Sequence, residues 1–230
     1  MSSANKCLQE YGVVKQDKLC DVEKRLHQGM ENYAKGEFYC INQEPKRIEK
    51  QKPYAAILSC ADSRVDPERI FDAGPGELFV TRVAGNVATE EIIASIEYAV
   101  AVLNTRAIVV IGHEACGAVD AAIAQVTDPD PNGKYAALGY NLDRLLSMIR
   151  PAVVAVGKAG KVKNYKVVKK NAELSAMQLF ERSAILTQFI DEIDLYYGYY
   201  QLGVELKLIK LRGKTCLDPV EYKVSLAPNG

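Results

Sequence analysis

The chain has no excess of charge of either sign, with 29 Lys and Arg against 29 Asp and Glu in 230 residues. A general nucleic-acid or membrane-surface role usually needs a basic surplus, so this balance argues against both. Long apolar runs are also missing. None approaches the ~18 residues of a membrane span. The opening Met1-Ser-Ser-Ala-Asn-Lys-Cys7 has no apolar h-region. The expectation is a protein without a secretory signal, placed in the cytoplasm. Cysteines are few and dispersed. Of the six, Cys7, Cys20, Cys40 and Cys216 have no tight CxxC spacing and no nearby histidine. They are expected as free thiols in a reducing compartment. Tryptophan is absent, and there is no internal repeat or low-complexity segment.

What is present is concentrated in two short stretches. Cys60-Ala-Asp-Ser-Arg64 is answered by Gly112-His113-Glu-Ala-Cys116-Gly117. Two thiols and one imidazole make a three-ligand zinc set, which keeps a fourth position free for water. Asp62 and Arg64 lie beside the first ligand, where a carboxylate and a guanidinium can manage that water's proton. A closed structural site needs neither. In an extended segment Cys60 and Asp62 point to the same side, and Arg64 can pair with Asp62.

The surrounding pattern places these residues. At 48% apolar and 25% charged, the chain has ample material for a core and is read as one domain over residues 1–230. Val22, Leu26, Met30 and Tyr33 predict an amphipathic helix over 21–36, part of an N-terminal helical arm over 1–36. Tyr54–Cys60, Glu77–Arg82 and Arg106–Gly112 read as strands, the last of them β-branched and apolar. Helices are predicted from Thr89, over Ala115–Gln125, over Leu138–Val156 with a break or kink at Pro151, and over Val167–Phe189. Asp128–Gly133 reads as a loop. After Asp191 the pattern weakens: Tyr196–Tyr200 is ambiguous, and Val204–Lys210 alternates like an edge strand. Strands alternating with helices predict an α/β fold, a mostly parallel central sheet flanked by helices. Its ligand site lies beyond the strand carboxyl ends, where Cys60 and His113 fall.

In order along residues 48–126, the chain carries Cys60-Ala-Asp-Ser-Arg64, Gly76-Glu-Leu-Phe79, Arg82-Val-Ala-Gly-Asn86, Ser95-Ile-Glu-Tyr-Ala99 and Gly112-His113-Glu-Ala-Cys116-Gly-Ala-Val119. With this set it resembles the β-class carbonic anhydrases. The resemblance implies zinc on Cys60, His113 and Cys116, an Asp62–Arg64 dyad, and reversible hydration of carbon dioxide to bicarbonate. It implies a homodimer or larger homo-oligomer whose sites are lined partly by a neighbouring subunit. It also implies a substrate pocket with Gln51, Phe79 and Tyr98, to which Ile57 could add an apolar wall. Two departures stand out. Ile57 occupies the place where bicarbonate-inhibited members commonly have tryptophan, and the family's Val-Gly-Ala-x-Tyr-x-Leu-x-Thr-Gly ending is not found after Asp191. The rival readings are a carbon disulfide or carbonyl sulfide hydrolase on the same scaffold, a noncatalytic zinc scaffold protein, and a cysteine hydrolase using Cys60 and His113, whose activity a chelator should not abolish. Two thiolate ligands would neutralise the ion's charge, so activity is expected to favour somewhat alkaline pH.

Overall fold

A computed structural model describes residues 19–42, 49–127, 139–157, 162–203, 205–212 and 222–225. The predicted loop over Asp128–Gly133 lies outside them.

The central strands are apolar because both of their faces are covered. β1 (Ala55–Ser59) and β3 (Ala107–His113) are buried at every residue. With side chains alternating, Ala55, Ile57, Val109 and Ile111 pack under the N-terminal helix α1 (Leu19–Lys35). Ala56, Leu58, Ile108 and Val110 pack on the other face, against helices described below. Continuous apolar runs of this kind belong to parallel sheets with helices on both sides.

The sheet has the order β2-β1-β3-β4-β5-β6. β2 (Leu78–Arg82), β1, β3 and β4 (Asp194–Gln201) run parallel, while β5 (Glu205–Arg212) and β6 (Tyr222–Ser225) are antiparallel additions. The short helix α2 (Pro67–Ile70) lies between β1 and β2, and α3 (Glu90–Ala101) between β2 and β3. Thr89 caps α3, its side chain accepting from the Ile92 amide. The chain then forms α4 (Gly117–Thr127), α5 (Tyr140–Gly157), α6 (Asn164–Glu181) and α7 (Ala184–Gln188) before β4. α3, α6 and α7 cover the second face, and α4 and α5 pack with α6 around the carboxyl end.

Some of the expected element boundaries need correction. α5 continues as one helix through Pro151. The helix expected over Val167–Phe189 is two helices, because the Ser183 hydroxyl accepts from the Leu186 amide and starts α7 afresh. The ambiguous tyrosine stretch is a central strand, and the expected edge strand is not an edge, since β6 pairs with it. The stripe Val22, Leu26 and Met30 is buried against α1's own sheet.

A buried carboxylate ties the N-terminal segment down. Asp72, in a left-handed conformation (φ 43°), accepts from the backbone amides of Tyr39, Cys40 and Ile41 and from Asn32 Nδ2. The Arg25 guanidinium donates to the carbonyls of Phe71 and Asp72 and pairs with Glu77 at 3.1 Å. Cys40 is disulfide-bonded, so the expectation of a free thiol fails at that position. Among the described residues no helix is long and apolar enough to cross a membrane.

Candidate metal centre

β1 and β3 are neighbours in parallel register, with Ser59 opposite Ile111. The next residue of one strand is Cys60, and the other strand ends on His113, so both emerge at the same edge of the sheet. Ala115 adopts a left-handed backbone (φ 52°), and after this bend Cys116 returns toward Cys60. The two sulfurs lie 3.9 Å apart. The donor atoms of Cys60, His113 and Cys116 all fall within 4.8 Å of one another, and all three residues are buried.

The chemistry of this set fits a metal ion. His113 Nδ1 lies 2.9 Å from the Glu114 carbonyl, and donation there leaves the Nε2 lone pair facing inward. That Nε2 is buried and has no hydrogen-bond partner. An unpaired imidazole nitrogen in an apolar interior is costly unless something fills it. Two sulfurs on one tetrahedral ion, each ~2.3 Å from it, would be about 3.8 Å apart, close to what is seen. The Cys116 thiol donates to Cys60, which, with the Gly85 amide 3.3 Å from its sulfur, lowers the Cys60 thiol well below its ordinary value. The same contact and burial push Cys116 up.

Asp62 stands beside the donors, its Oδ2 3.9 Å from His113 Nε2. Arg64 grips it with both arms: Nε to Oδ1 at 2.9 Å and Nη2 to Oδ2 at 2.7 Å. The Arg64 amide also donates to Oδ1. These bonds to Arg64 hold the Asp62 carboxyl well below the usual carboxylate range, so it is ionised throughout the neutral region.

Two contributors have no role read from the sequence, although both lie in the stretch Arg82–Asn86. Arg82 donates to the carbonyls of Cys60 (3.1 Å) and Asp62 (2.7 Å), fixing the backbone between ligand and carboxylate. Gly85 supplies the amide on the Cys60 sulfur. Their signal was the motif itself; nothing in their residue types shows what they touch.

The pocket residues are elsewhere in this chain. Gln51 is exposed and precedes β1, beside the Gly76 turn, at the end of the sheet opposite the donors. Phe79 lies on the edge strand β2, and its ring is 6.2 Å from that of Tyr98, which is 46% exposed on α3. Ile57 is wholly buried under α1 and is a core residue, not a pocket wall.

The family profile described as "Carbonic anhydrase" matches residues 55–203, well over half of the chain. The chain belongs to the β-class carbonic anhydrase family. The matched span holds Cys60, Asp62, Arg64, Phe79, Tyr98, His113 and Cys116, and leaves out Gln51, α1, β5 and β6. Carbonic anhydrase 2 of Mycobacterium tuberculosis is 55% identical over 85 residues, 37% of this chain and 41% of that protein. The chain thus spans about two fifths of that relative's length. The carbonic anhydrase of Mycolicibacterium smegmatis is 33% identical over 150 residues, 64% of this chain and 69% of the other. Among solved structures, a tetrameric β-carbonic anhydrase of the filamentous ascomycete Sordaria macrospora is 25% identical with a TM-score of 0.57. The likeness covers 70% of this chain and 81% of that one.

Proposed function

We propose that this protein is a zinc enzyme that catalyses the reversible hydration of carbon dioxide to bicarbonate and a proton. The observation that carries the reading is the buried Cys60, His113 and Cys116 donor set with the Asp62–Arg64 pair at its side. Cys60, His113 and Cys116 would hold the ion; when bound, zinc supplies a Lewis acid that brings water's ionisation near neutral pH. The remaining work falls to the chain. Asp62, ionised and fixed by Arg64, accepts a hydrogen bond from the attacking water and aims its lone pair at the carbon of CO₂. Because Arg64 occupies both Asp62 oxygens, the carboxylate is restrained from becoming a fourth ligand. Arg82 keeps Cys60 and Asp62 in fixed relation through their carbonyls.

Gln51, Phe79 and Tyr98 complete a substrate pocket only in an assembly. Gln51 is a β1 length away from the donors of its own chain, so its role requires a second copy. The related Sordaria macrospora protein is a tetramer. We read this chain as a homodimer or larger homo-oligomer, and a fully active monomer in sedimentation at assay concentration would exclude that.

The deciding experiment is stopped-flow CO₂ hydration on purified protein, before and after a strong chelator, and again after zinc is restored. Activity that disappears and returns supports the proposal. Full activity in metal-free protein overturns it, and a zinc-loaded protein that hydrates no CO₂ turns the reading toward a scaffold.

A further inference from the structure

The turn after β2, residues Ala84–Asn86, contains two successive left-handed residues, Gly85 (φ 72°) and Asn86 (φ 45°). Such a backbone is uncommon for a non-glycine residue and persists only where its surroundings impose it. Here three contacts do so. Asn171 reaches down from α6, and its Nδ2 donates to the Gly85 carbonyl at 2.7 Å. On its other side the same glycine gives its N–H to the Cys60 sulfur at 3.3 Å. Ile149 closes the space above: a Cβ at position 85 would stand 2.6 Å from its Cδ1.

Asn171 is buried, 2% exposed, in the apolar face of α6 between Val168 and Ala172. α6 lies directly on the strand carrying His113, since a Cβ at Gly112 would come within 2.7 Å of Val168. An amide in such a place costs free energy unless its donors are used, and a leucine of similar size would pack there without that cost. Its observed bond is to the carbonyl of a residue whose own N–H meets the Cys60 sulfur.

We propose that Asn171 is a positioning residue of the metal centre. It clamps the Gly85 carbonyl, so fixes that residue's left-handed φ and ψ, and through them aims the Gly85 N–H on the preceding peptide at Cys60, drawing negative charge from that thiolate. The inference rests on the zinc-centre reading of Cys60, His113 and Cys116. Partners of this outer kind typically change metal affinity by about 10–100-fold when removed.

The test is NMR of the full chain loaded with a magnetically active cadmium isotope in place of zinc. The wild-type Gly85 amide proton should show a through-bond coupling to cadmium, transmitted by the Cys60 sulfur. In Asn171→Leu that coupling should vanish or fall by at least half, and a chelator should strip zinc about 10–100-fold faster. Val168→Ala, which disturbs packing on the same helix but spares the amide, should keep the coupling. If Asn171→Leu does not fold, Asn171→Ser is read in the same way. Coupling retained in full in the Asn171 variant overturns the proposal, as does wild-type protein that binds cadmium without coupling at Gly85. Wild-type protein that takes up neither metal defeats the metal-centre reading itself.

Discussion

The two ends of the sheet bury polar groups in opposite ways. At the amino end, Asp194 of β4 and Glu23 of α1 are each 1% exposed, with Lys210 of β5 set between them. Its Nζ is 2.9 Å from Asp194 Oδ2 and 3.4 Å from Glu23 Oε2, and the Tyr196 hydroxyl donates to the same Asp194 oxygen. Charge there meets opposite charge, and the cluster ties α1 and β5 to the sheet. At the carboxyl end, the two sulfurs and the His113 Nε2 converge on one another, and the imidazole nitrogen is left without a hydrogen-bond partner. Burial of polar groups is common to both ends and says little about function. Donors left pointing at a shared centre are what separate a ligand site from a structural knot.

The sharpest break of this contrast removes a donor. Cys60→Ser or His113→Ala should drop zinc from about one per chain to near none, with hydration activity lost alongside it, read by elemental analysis and stopped flow. The fold should survive, because neither residue is held in place by an ion pair of the Lys210 kind. At the other end, Lys210→Met should do the reverse. It leaves the buried Asp194 and Glu23 without this cation and should cost about 3–5 kcal/mol in urea unfolding, with zinc content unchanged. Equal effects on metal and stability in both variants would erase the distinction.

Two smaller effects sharpen it. Arg64→Ala frees Asp62 and should slow hydration by about 10–100-fold while zinc stays bound. Loss of zinc in that variant would make Arg64 structural. The smallest effect is at Asp194, whose carboxyl is raised by burial even against the pull of Lys210. A carboxyl raised in the folded state binds its proton more tightly than in the unfolded chain. Wild-type stability should therefore fall as pH climbs from the unfolded carboxylate value, about 3.9, through the folded one. Asparagine carries no such proton. The Tm of Asp194→Asn minus that of wild type should grow between about pH 4 and 7, and a shrinking difference would refute the assignment.

How far these two ends were legible in the sequence follows the same contrast. β1 and β3 are covered on both faces, so their residues are apolar until the last position, Ser59 or His113, and the donors at their ends could be read off directly. The tyrosines of β4 gave no such pattern. Tyr196 and Tyr200 bury their rings under α1 while their hydroxyls reach Asp194 and Tyr33, and an aromatic with a polar tip suits strand, loop or surface alike. Lys210 was unreadable for a related reason: only the strand order places a lysine of β5 between carboxylates from α1 and β4. Asp62 and Arg64 sit two residues apart, and local geometry sufficed. Asn171 and Arg82 act on backbone atoms far away in the chain, and residue type gives no hint of such a partner. Gln51 was legible only through resemblance, since nothing in its own chain brings it to the donors.

The carboxylate of Asp72 has a consequence for how this family member can vary. It holds the segment at residues 39–41 through three main-chain amides. Proline is excluded from positions 39, 40 and 41, because it lacks the N–H being bound. Position 72 is constrained more tightly. Asp72→Asn would present an NH₂ to a ring of donors, and Asp72→Glu would carry the carboxylate oxygens past them. One residue in the crossover between β1 and β2 thus grips that stretch by its backbone, whatever its side chains, save for the disulfide at Cys40.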